Sequence, residues 1–375
     1  MNIAWLIVVL LIIVFIQGMI YSKFGLKGIT YHRAFTKDTV YAGETLEMVD
    51  EIKNQKWLPV PWIRLESKMS AHLVVQSEKD EKREEDEVFH RTLFSLLPYQ
   101  KITRRHQLVA LKRGHYPLRT VSVTTGDAVG FGEVFDSFDA STAITVYPEL
   151  VSLDDIPLPS HSWLGDITVK RWIIEDPFLY AGVKEYQNGD PLNAINWKAT
   201  ARTGDLQINK KDFTADHHLM IYVNFDWNED IRLPIDDPEV IEEGLSYSAS
   251  LAHYTVSQGL ATGFGCNGYY VEPFTNKTEK IKSSVRVEPS NGNQQVTHIL
   301  DAIAKVKMDR SRNFRAFLQE DIDRGMTKTD VIIFTPIITE KVEKQIEQLE
   351  RLGNAVETVP LVDPSKLKGG EENVS

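Results

Sequence analysis

Residues 330–362 read DVIIFTPIITEKVEKQIEQLERLGNAVETVPLV, and this stretch decides the class of the C-terminal half. Asp330 to Phe334 is a short apolar run rich in β-branched residues, which reads as a strand. Thr339 carries the side-chain oxygen that an N-cap needs. Val342, Ile346 and Leu349 then fall on one helical stripe, and Gly353 supplies a left-handed stop after Leu352. Ala355 to Val362 is a strand again. Strand, helix, strand at this spacing is a βαβ unit, which lays its two strands side by side in parallel.

The pattern extends towards the N-terminus. Leu219 to Phe225 is an apolar run of strand length, suited to burial on both faces. Glu239 to Gln258 reads as a helix with Ser248, Ala249 and Ala252 on a small-residue face. Leu260 to Tyr269 reads as a second buried strand, loosened by Gly263, Gly265 and Gly268. Gln294 to Val306 reads as a helix with Val296, Ile299, Leu300 and Ile303 on one stripe. An α/β domain of Rossmann-like type is therefore expected over residues 175–363, with residues 364–375 as a frayed tail.

Residues 28–147 are patterned differently. Segments such as Thr45 to Val49 and Trp62 to Glu66 alternate with period two. Turn residues at Ala42-Gly43, Asn54 to Lys56, Arg113-Gly114 and Thr125 to Asp127 separate them. Short alternating strands at regular spacing predict an all-β sandwich. The charged run Glu78 to Glu87 reads as a solvated hairpin loop within it. Residues 148–174, broken by Pro148, Pro157 and Pro159, read as a connector that carries Trp163 to Trp172 towards the next domain.

At the N-terminus, Ile3 to Tyr21 is almost wholly apolar, and no charged side chain precedes Lys23. About twenty apolar residues match the hydrocarbon thickness of a bilayer. A cleaved signal peptide needs a basic n-region and a small-residue cleavage site, and both are missing. Residues 1–22 are expected to form a retained anchor. Lys23, Lys27, Arg33 and Lys37 follow it, which places the soluble domains on the cytoplasmic side. A formal net charge of −11 argues against a general nucleic-acid binder. The single cysteine, Cys266, excludes an internal disulfide and reads as a buried small hydrophobe.

The most unusual stretch is Val183-Lys184-Glu185-Tyr186-Gln187-Asn188-Gly189-Asp190-Pro191, followed by Ile195-Asn196-Trp197-Lys198-Ala199-Thr200-Ala201-Arg202. Helix grammar accounts for part of it. Asp190 is a candidate N-cap, Pro191 suits the first turn, and the helix would run to Arg202 with Leu192, Ile195 and Ala199 buried. It does not require Lys184, Glu185, Tyr186, Gly189, Asp190, Asn196, Trp197 and Arg202 together. This run, over Val183 to Lys211, resembles the signature of the family catalogued as domain of unknown function 58. The resemblance implies a von Willebrand factor A-like C-terminal fold. It also implies a MoxR-type AAA+ ATPase and a transglutaminase-like membrane protein as partners.

An intact domain of the A type holds Mg²⁺ through Asp-x-Ser-x-Ser after the first strand, plus a Thr and an Asp from other loops. Here the first strand runs into Asn224-Phe225-Asp226-Trp227-Asn228, without the serines. The loop expected to give Thr reads Ser290-Asn291-Gly292-Asn293, and Phe334-Thr335-Pro336 stands where Asp is expected. Asp226 with Asn224 and Asn228 either holds a weakly bound cation or caps local helices and turns. Glu185 and Asp190 are either an acid/base pair of a hydrolase, with Lys198 and Arg202 binding an anion, or members of a polar network in which Arg202 pairs with a carboxylate. His217-His218 lacks a third ligand nearby in sequence. The expected function is a membrane-anchored interaction or adaptor protein without catalytic residues. Adhesion-type metal binding at Asp226 and hydrolysis through Glu185 and Asp190 are the alternatives.

Overall fold

The computed structural model describes residues 3–76, 87–127, 129, 130, 132–158, 175–186, 195–213, 218–228, 230, 233–270 and 282–362. The charged run 78–86, most of the connector, Gly189, Asp190, His217 and the tail 364–375 lie outside the described residues. The chain divides into two units, with residues 1–150 in the first and most of residues 151–375 in the second.

Helix α1 (Ile3–Phe24) has 22 residues, a length of about 33 Å at 1.5 Å per residue, so it is long enough to cross a bilayer. Its segment Trp5–Phe24 has a mean hydropathy of 2.5. The strands that follow are β1 (Ile29–Phe35), β2 (Thr39–Tyr41), β3 (Thr45–Asn54), β4 (Val60–Ser70), β5 (Leu73–Val75), β6 (Glu87–Leu96), β7 (Lys101–Ala110), β8 (Gly114–Gly126) and β9 (Glu133–Tyr147). They form two sheets, ordered β1-β3-β7-β5 and β2-β9-β8-β4-β6. All pairings are antiparallel except β2 with β9.

Period-two alternation turns every second residue of these strands inward. On β3 the inward positions are Leu46, Met48, Asp50, Ile52 and Asn54. Met48 belongs to one apolar cluster with Leu108, Leu118 and Ile144, and Ile52 to another with Ile63, Phe94 and Val123. Asp50, fully buried between them, belongs to a polar layer. Its Oδ1 accepts from the Tyr31 hydroxyl (2.7 Å) and Arg33 Nε (2.6 Å), and its Oδ2 from Arg33 Nη2 (2.8 Å). Arg33 Nη1 donates to Ser67 Oγ at 2.7 Å. His106 Nε2 lies 3.5 Å from Asp50 Oδ2, and the His106 and His90 rings meet edge to face at 4.7 Å.

The second unit opens with β10 (Glu175–Glu185), α2 (Trp197–Thr203) and β11 (Gln207–Phe213), in which β10 and β11 form an antiparallel ribbon. Its main sheet contains β12 (His218–Val223), β13 (Ala261–Cys266), β15 (Val285–Ser290), β17 (Thr329–Thr335) and β18 (Ala355–Pro360), ordered β15-β13-β12-β17-β18. The last four in that order are parallel, and β15 runs antiparallel to β13, so the sheet is mixed. Its helices are α3 (Pro238–Ser257), α5 (Phe314–Asp323) and α6 (Glu340–Arg351), together with the first half of α4 (Asn293–Lys305), whose residues from Leu300 on belong to the first unit. Short strands β14 (Tyr269–Tyr270) and β16 (Val306–Lys307) complete the elements.

In-register partners on parallel strands point the same way. Met220 and Tyr222, with Val331 and Ile333, pack against Phe314, Phe317 and Leu318 of α5 and Val342 and Leu349 of α6. The opposite face carries Ile221, Val223 and their partners Ile332 and Phe334, and the Phe334 ring lies 5.9 Å from that of Tyr247 on α3. Gly263 and Gly265, expected only to loosen β13, are required there. A Cβ on Gly263 would fall 2.6 Å from the backbone carbonyl oxygen of Val287, and one on Gly265 2.9 Å from the rings of Tyr222 and Phe317. The strand ends at Cys266 rather than Tyr269, because Asn267 turns its amide into the residues after β12.

The polar layer makes a measurable demand on the sandwich. Burial pushes the Asp50 carboxyl up, but hydrogen bonds from Arg33 and Tyr31 and the charge of Arg33 outweigh it and hold it well below the usual carboxylate range. A group with a lowered folded pKa contributes stability above its unfolded pKa and loses it as pH falls. Acid titration of the folded chain is therefore expected to destabilise the sandwich below about pH 4. Arg33→Ala, which leaves Asp50 buried and unpaired, is expected to cost roughly 3–5 kcal/mol in urea denaturation at pH 7. A loss under about 1 kcal/mol would show that the layer is solvated.

Candidate functional site

Beyond Val223 the chain leaves the sheet through Asn224, Phe225 and Asp226. Asn224 Oδ1 accepts from the Asp226 amide at 2.8 Å, and Asn224 Nδ2 donates to Thr335 Oγ1 at 3.0 Å. These bonds tie the ends of β12 and β17 together and turn Asp226 over the sheet edge. Asp226 Oδ1 accepts from Asn267 Nδ2 at 2.9 Å, and its Oδ2 accepts from the Phe314 amide, at the first turn of α5, at 2.6 Å. Arg310 Nη1 lies 3.7 Å from Oδ1. Burial pushes the Asp226 carboxyl up, and the bonds from Phe314, Arg310 and Asn267 only partly oppose that shift.

A cavity of about 190 Å³ opens at this edge, and Asn224, Asp226 and Asn228 all line it. So do Asn313, Arg315, Thr339 and Lys341. Asn313 is the N-cap of α5, its side chain accepting from the Ala316 amide, and Thr339 is the N-cap of α6, accepting from the Val342 amide. Two helix N-termini thus converge on the cavity, each equivalent to roughly half a positive charge. Arg315 and Lys341 add two full cationic side chains. The arrangement suits an anionic group.

The three expected metal ligands are brought together, but their oxygens are not equivalent. Those of Asn224 and Asp226 are engaged by N–H donors, whereas Asn228 Oδ1 is buried with no hydrogen-bond partner among the described residues. The loop Ser290 to Asn293 is at the wrong end of the sheet to supply a ligand. β15 runs antiparallel, so Ser290 pairs with Thr262 near the start of β13, whereas Asp226 follows the end of β12. The loop that reaches Asp226 is the one carrying Arg310 and Asn313. Sequence reasoning missed it along with Asn267, Arg315 and Lys341. The available signal was Asn313 before Phe314, the same capping grammar that marked Thr339.

The signature segment needs a correction. Ile195 forms an antiparallel bridge with Ile208, and Asn196 is the N-cap, its side chain accepting from the Ala199 amide at 3.0 Å, so α2 starts at Trp197 and not at Pro191. Gly204 ends it in the left-handed region, φ 83°, as its position in the sequence indicates. No α2 residue is fully buried: of the expected stripe, Ile195 and Ala199 are half-buried and Leu192 lies outside the described residues. The ribbon anchors the helix: the Asn196 amide donates to Gln207 O, and the Gln207 amide donates to Thr200 Oγ1. Lys184 lies on β10, Glu185 ends it, and Tyr186 follows with its amide bonded to Leu206 O. Glu185, Trp197, Lys198 and Arg202 are exposed, and among the described residues no ion pair joins Arg202 to Glu185. Gly189 and Asp190 lie outside the described residues.

A second cluster, unforeseen from sequence, is the set Asp50, His90 and His106, whose ligand-type atoms lie within 4.8 Å of one another. Nitrogen and carboxylate donors of this kind suit zinc. Here the Arg33 guanidinium grips both Asp50 oxygens, which makes the cluster part of the polar core of the sandwich.

Residues 182–368 match the family model described as "Protein of unknown function DUF58". A curated relative, "Uncharacterized protein YeaD" of Bacillus subtilis (strain 168), is 23% identical over 242 residues, which is 64% of this chain and 55% of that protein. The chain thus spans little more than half of that relative's length. Among solved structures, the CARDB domain of the PF1109 protein from Pyrococcus furiosus is matched at 13% identity and a TM-score of 0.23, over 33% of this chain and 97% of that one. A cohesin module from a Clostridium perfringens family 33 glycoside hydrolase is matched at 12% identity and a TM-score of 0.22, over 32% and 98%.

Asp226→Ala removes the acceptor for the Phe314 amide and the counter-charge of Arg310, which is only 4% exposed. The expected cost is about 2–4 kcal/mol, read by chemical denaturation. A variant as stable as the wild type would mean that Asp226 is not part of the support of α5.

Proposed function

We propose that this chain is a membrane-anchored interaction protein whose second unit is a von Willebrand factor A-like domain. Its cavity beside Asp226 receives an anionic group of a partner. The observation that carries this reading is the convergence of the α5 and α6 N-termini with Arg315 and Lys341 on one polar cavity. The C-terminal edge of parallel strands is where α/β sheets take their ligands. In an intact domain of the A type a divalent ion draws in the partner's carboxylate. Here helix N-termini and two basic side chains supply the positive field. The partner expected from the family resemblance is a MoxR-type AAA+ ATPase, working with a transglutaminase-like membrane protein on a membrane or envelope complex. Helix α1 would hold the protein in the membrane, and Lys23, Lys27, Arg33 and Lys37 favour a cytoplasmic placement of the domains. Exposed Glu185 offers no buried acid/base site, which supports binding over hydrolysis.

Pull-down of the detergent-solubilised full chain with ATP and Mg²⁺ tests the reading. Wild type is expected to retain an AAA+ ATPase. Arg315→Glu combined with Lys341→Glu, both at exposed positions, is expected to lose it by tenfold or more while keeping the wild-type melting temperature. Retention by the charge-reversed variant would move the interface elsewhere. Absence of any ATPase from the wild-type eluate would remove that partner from the proposal.

A second reading keeps Mg²⁺ at Asn224, Asp226 and Asn228, favoured by the unsatisfied Asn228 Oδ1. It requires a heat of binding in calorimetry with Mg²⁺ or Mn²⁺ that Asn228→Ala abolishes. A flat titration for the wild type would eliminate it.

A further inference from the structure

The strand registers bring four connecting segments to one end of the sandwich. Ile29 pairs with Asn54, Lys53 with Lys101, and Ile63 with Thr125. Residues 25–28, 55–59, 97–100 and the turn after Gly126 therefore meet at the end from which α1 leaves. Hydrogen bonds stitch them together. The Gln55 amide donates to Gly28 O at 2.8 Å, Lys56 Nζ to Gly25 O at 2.8 Å, and the Tyr99 amide to Lys56 O at 3.2 Å. Asn54 Nδ2 donates to Leu97 O at 3.0 Å. On the other side, Asp127 Oδ2 lies 3.5 Å from where a Cβ on Gly18 would sit. Gly18 is six residues before the end of α1, so this turn lies alongside the helix about 9 Å back from its terminus.

This end of the sandwich is apolar where a soluble surface would be polar. Trp57 is 71% exposed, Tyr99 68%, Leu97 65% and Val129 53%. Tyr99 is held out by a turn in which it adopts φ 55°, a conformation uncommon for a residue with a side chain. The turn is fixed from within, because the Leu97 amide donates to Gln100 Oε1 and the Gln100 amide to Leu97 O. The charge is also biased. In a chain of net charge −11, the four segments contain Lys27 and Lys56, and their single acid, Asp127, is fully buried.

We infer that this end of the sandwich is a second membrane contact, in which Trp57, Leu97, Tyr99 and Val129 enter the headgroup–acyl boundary of the bilayer that α1 crosses while exposed Lys27 faces anionic headgroups. The inference rests on α1 being a membrane anchor. Amphipathic aromatics favour this boundary, and basic residues beside it are drawn to anionic lipid. A lipid surface is the occupant favoured on the page, because the patch is bonded directly to the end of the membrane-length helix. The hydrogen bond from Lys56 to Gly25 fixes the patch at the depth of that end. With two contacts, the sandwich is held in one orientation to the bilayer rather than pivoting on a flexible tether.

The test uses the full chain in vesicles of phosphatidylcholine and phosphatidylglycerol. Single cysteines at Trp57, Tyr99, Ile12 or Glu44, in a Cys266→Ala background that keeps the wild-type melting behaviour, carry an environment-sensitive fluorophore. Lipids bearing quenchers at shallow or deep positions then report depth. Labels at 57 and 99 are expected to lose about half their emission or more to the shallow quencher, and the label at 44, at the opposite end of the same sandwich, none. The label at 12 is expected to respond to the deep quencher. Response at 12 with none at 57 and 99 would overturn the second contact and leave the anchor standing. No response at 12 would defeat the anchor reading, and the labels at 57 and 99 would still decide the surface on their own. Labels at 57 and 99 shielded from aqueous iodide but untouched by lipid quenchers would give the patch to a protein neighbour and refute the lipid assignment.

Discussion

In a parallel sheet every strand ends at the same edge, and the helix that follows a strand begins there. That constraint gathers the features of the α/β unit. The ends of β12, β13 and β17 bring Asn224, Asn267 and Thr335 within hydrogen-bond reach of one another's loops. The first turns of α5 and α6 open at the same edge, because α5 leads into the start of β17 and α6 follows its end, so both run against that strand while packing on the face made by Met220, Tyr222, Val331 and Ile333. The cavity is thus a consequence of the topology, and its polarity follows from the direction of the helices. Asp226 does not reverse that polarity. One of its oxygens is committed to the Phe314 amide and the other to Asn267, and Arg310, held by the carbonyls of Asn228, Asp230 and Leu233, stands behind it.

The sandwich obeys a different constraint. Its alternation would permit an apolar interior throughout, yet Asp50, Arg33, Ser67 and His90 occupy inward positions between two apolar clusters. A buried ion pair rarely adds net stability over apolar residues of the same size. It does fix which strands face each other, because a slip of one residue would turn Asp50 to solvent and leave Arg33 alone in the core. Tyr31 and Arg33 come from β1, Asp50 from β3, Ser67 from β4 and His106 from β7, so one polar contact set ties both sheets into register.

Features carried by local grammar were legible in the sequence. The unit from Asp330 to Val359 was readable because capping, stripe and stop signals agree at Thr339, Leu349 and Gly353. The apolar length of α1 needed no tertiary information. Features set by distant partners were not legible. The start of α2 differs from the expected one because Asp190-Pro191 satisfies the same rules as the cap, Asn196, and only the distant pairing of Ile195 with Ile208 shows that the helix does not run through Ile195. The Ser290 loop was assigned to the site because nothing local says that β15 runs antiparallel. Arg310, Asn313 and Asn267 were invisible as a group because they lie far apart in the chain and meet only through Asp226.

On the reading proposed above, the edge after β12 has a binding role although it lacks the serines of an A-type site. A divalent ion in such a site serves as a concentrated positive charge with an open position for a partner's carboxylate. On the reading proposed above, two helix N-termini of roughly half a charge each, together with Arg315 and Lys341, place a comparable positive charge around the same cavity. The difference lies in how that charge responds to conditions. A metal site needs ligand oxygens free of competing donors, whereas Asn224 and Asp226 have theirs bound by N–H groups of the fold itself. An edge built this way would bind its partner without regard to metal supply, and its affinity would instead fall with salt, since Arg315 and Lys341 are exposed and open to screening.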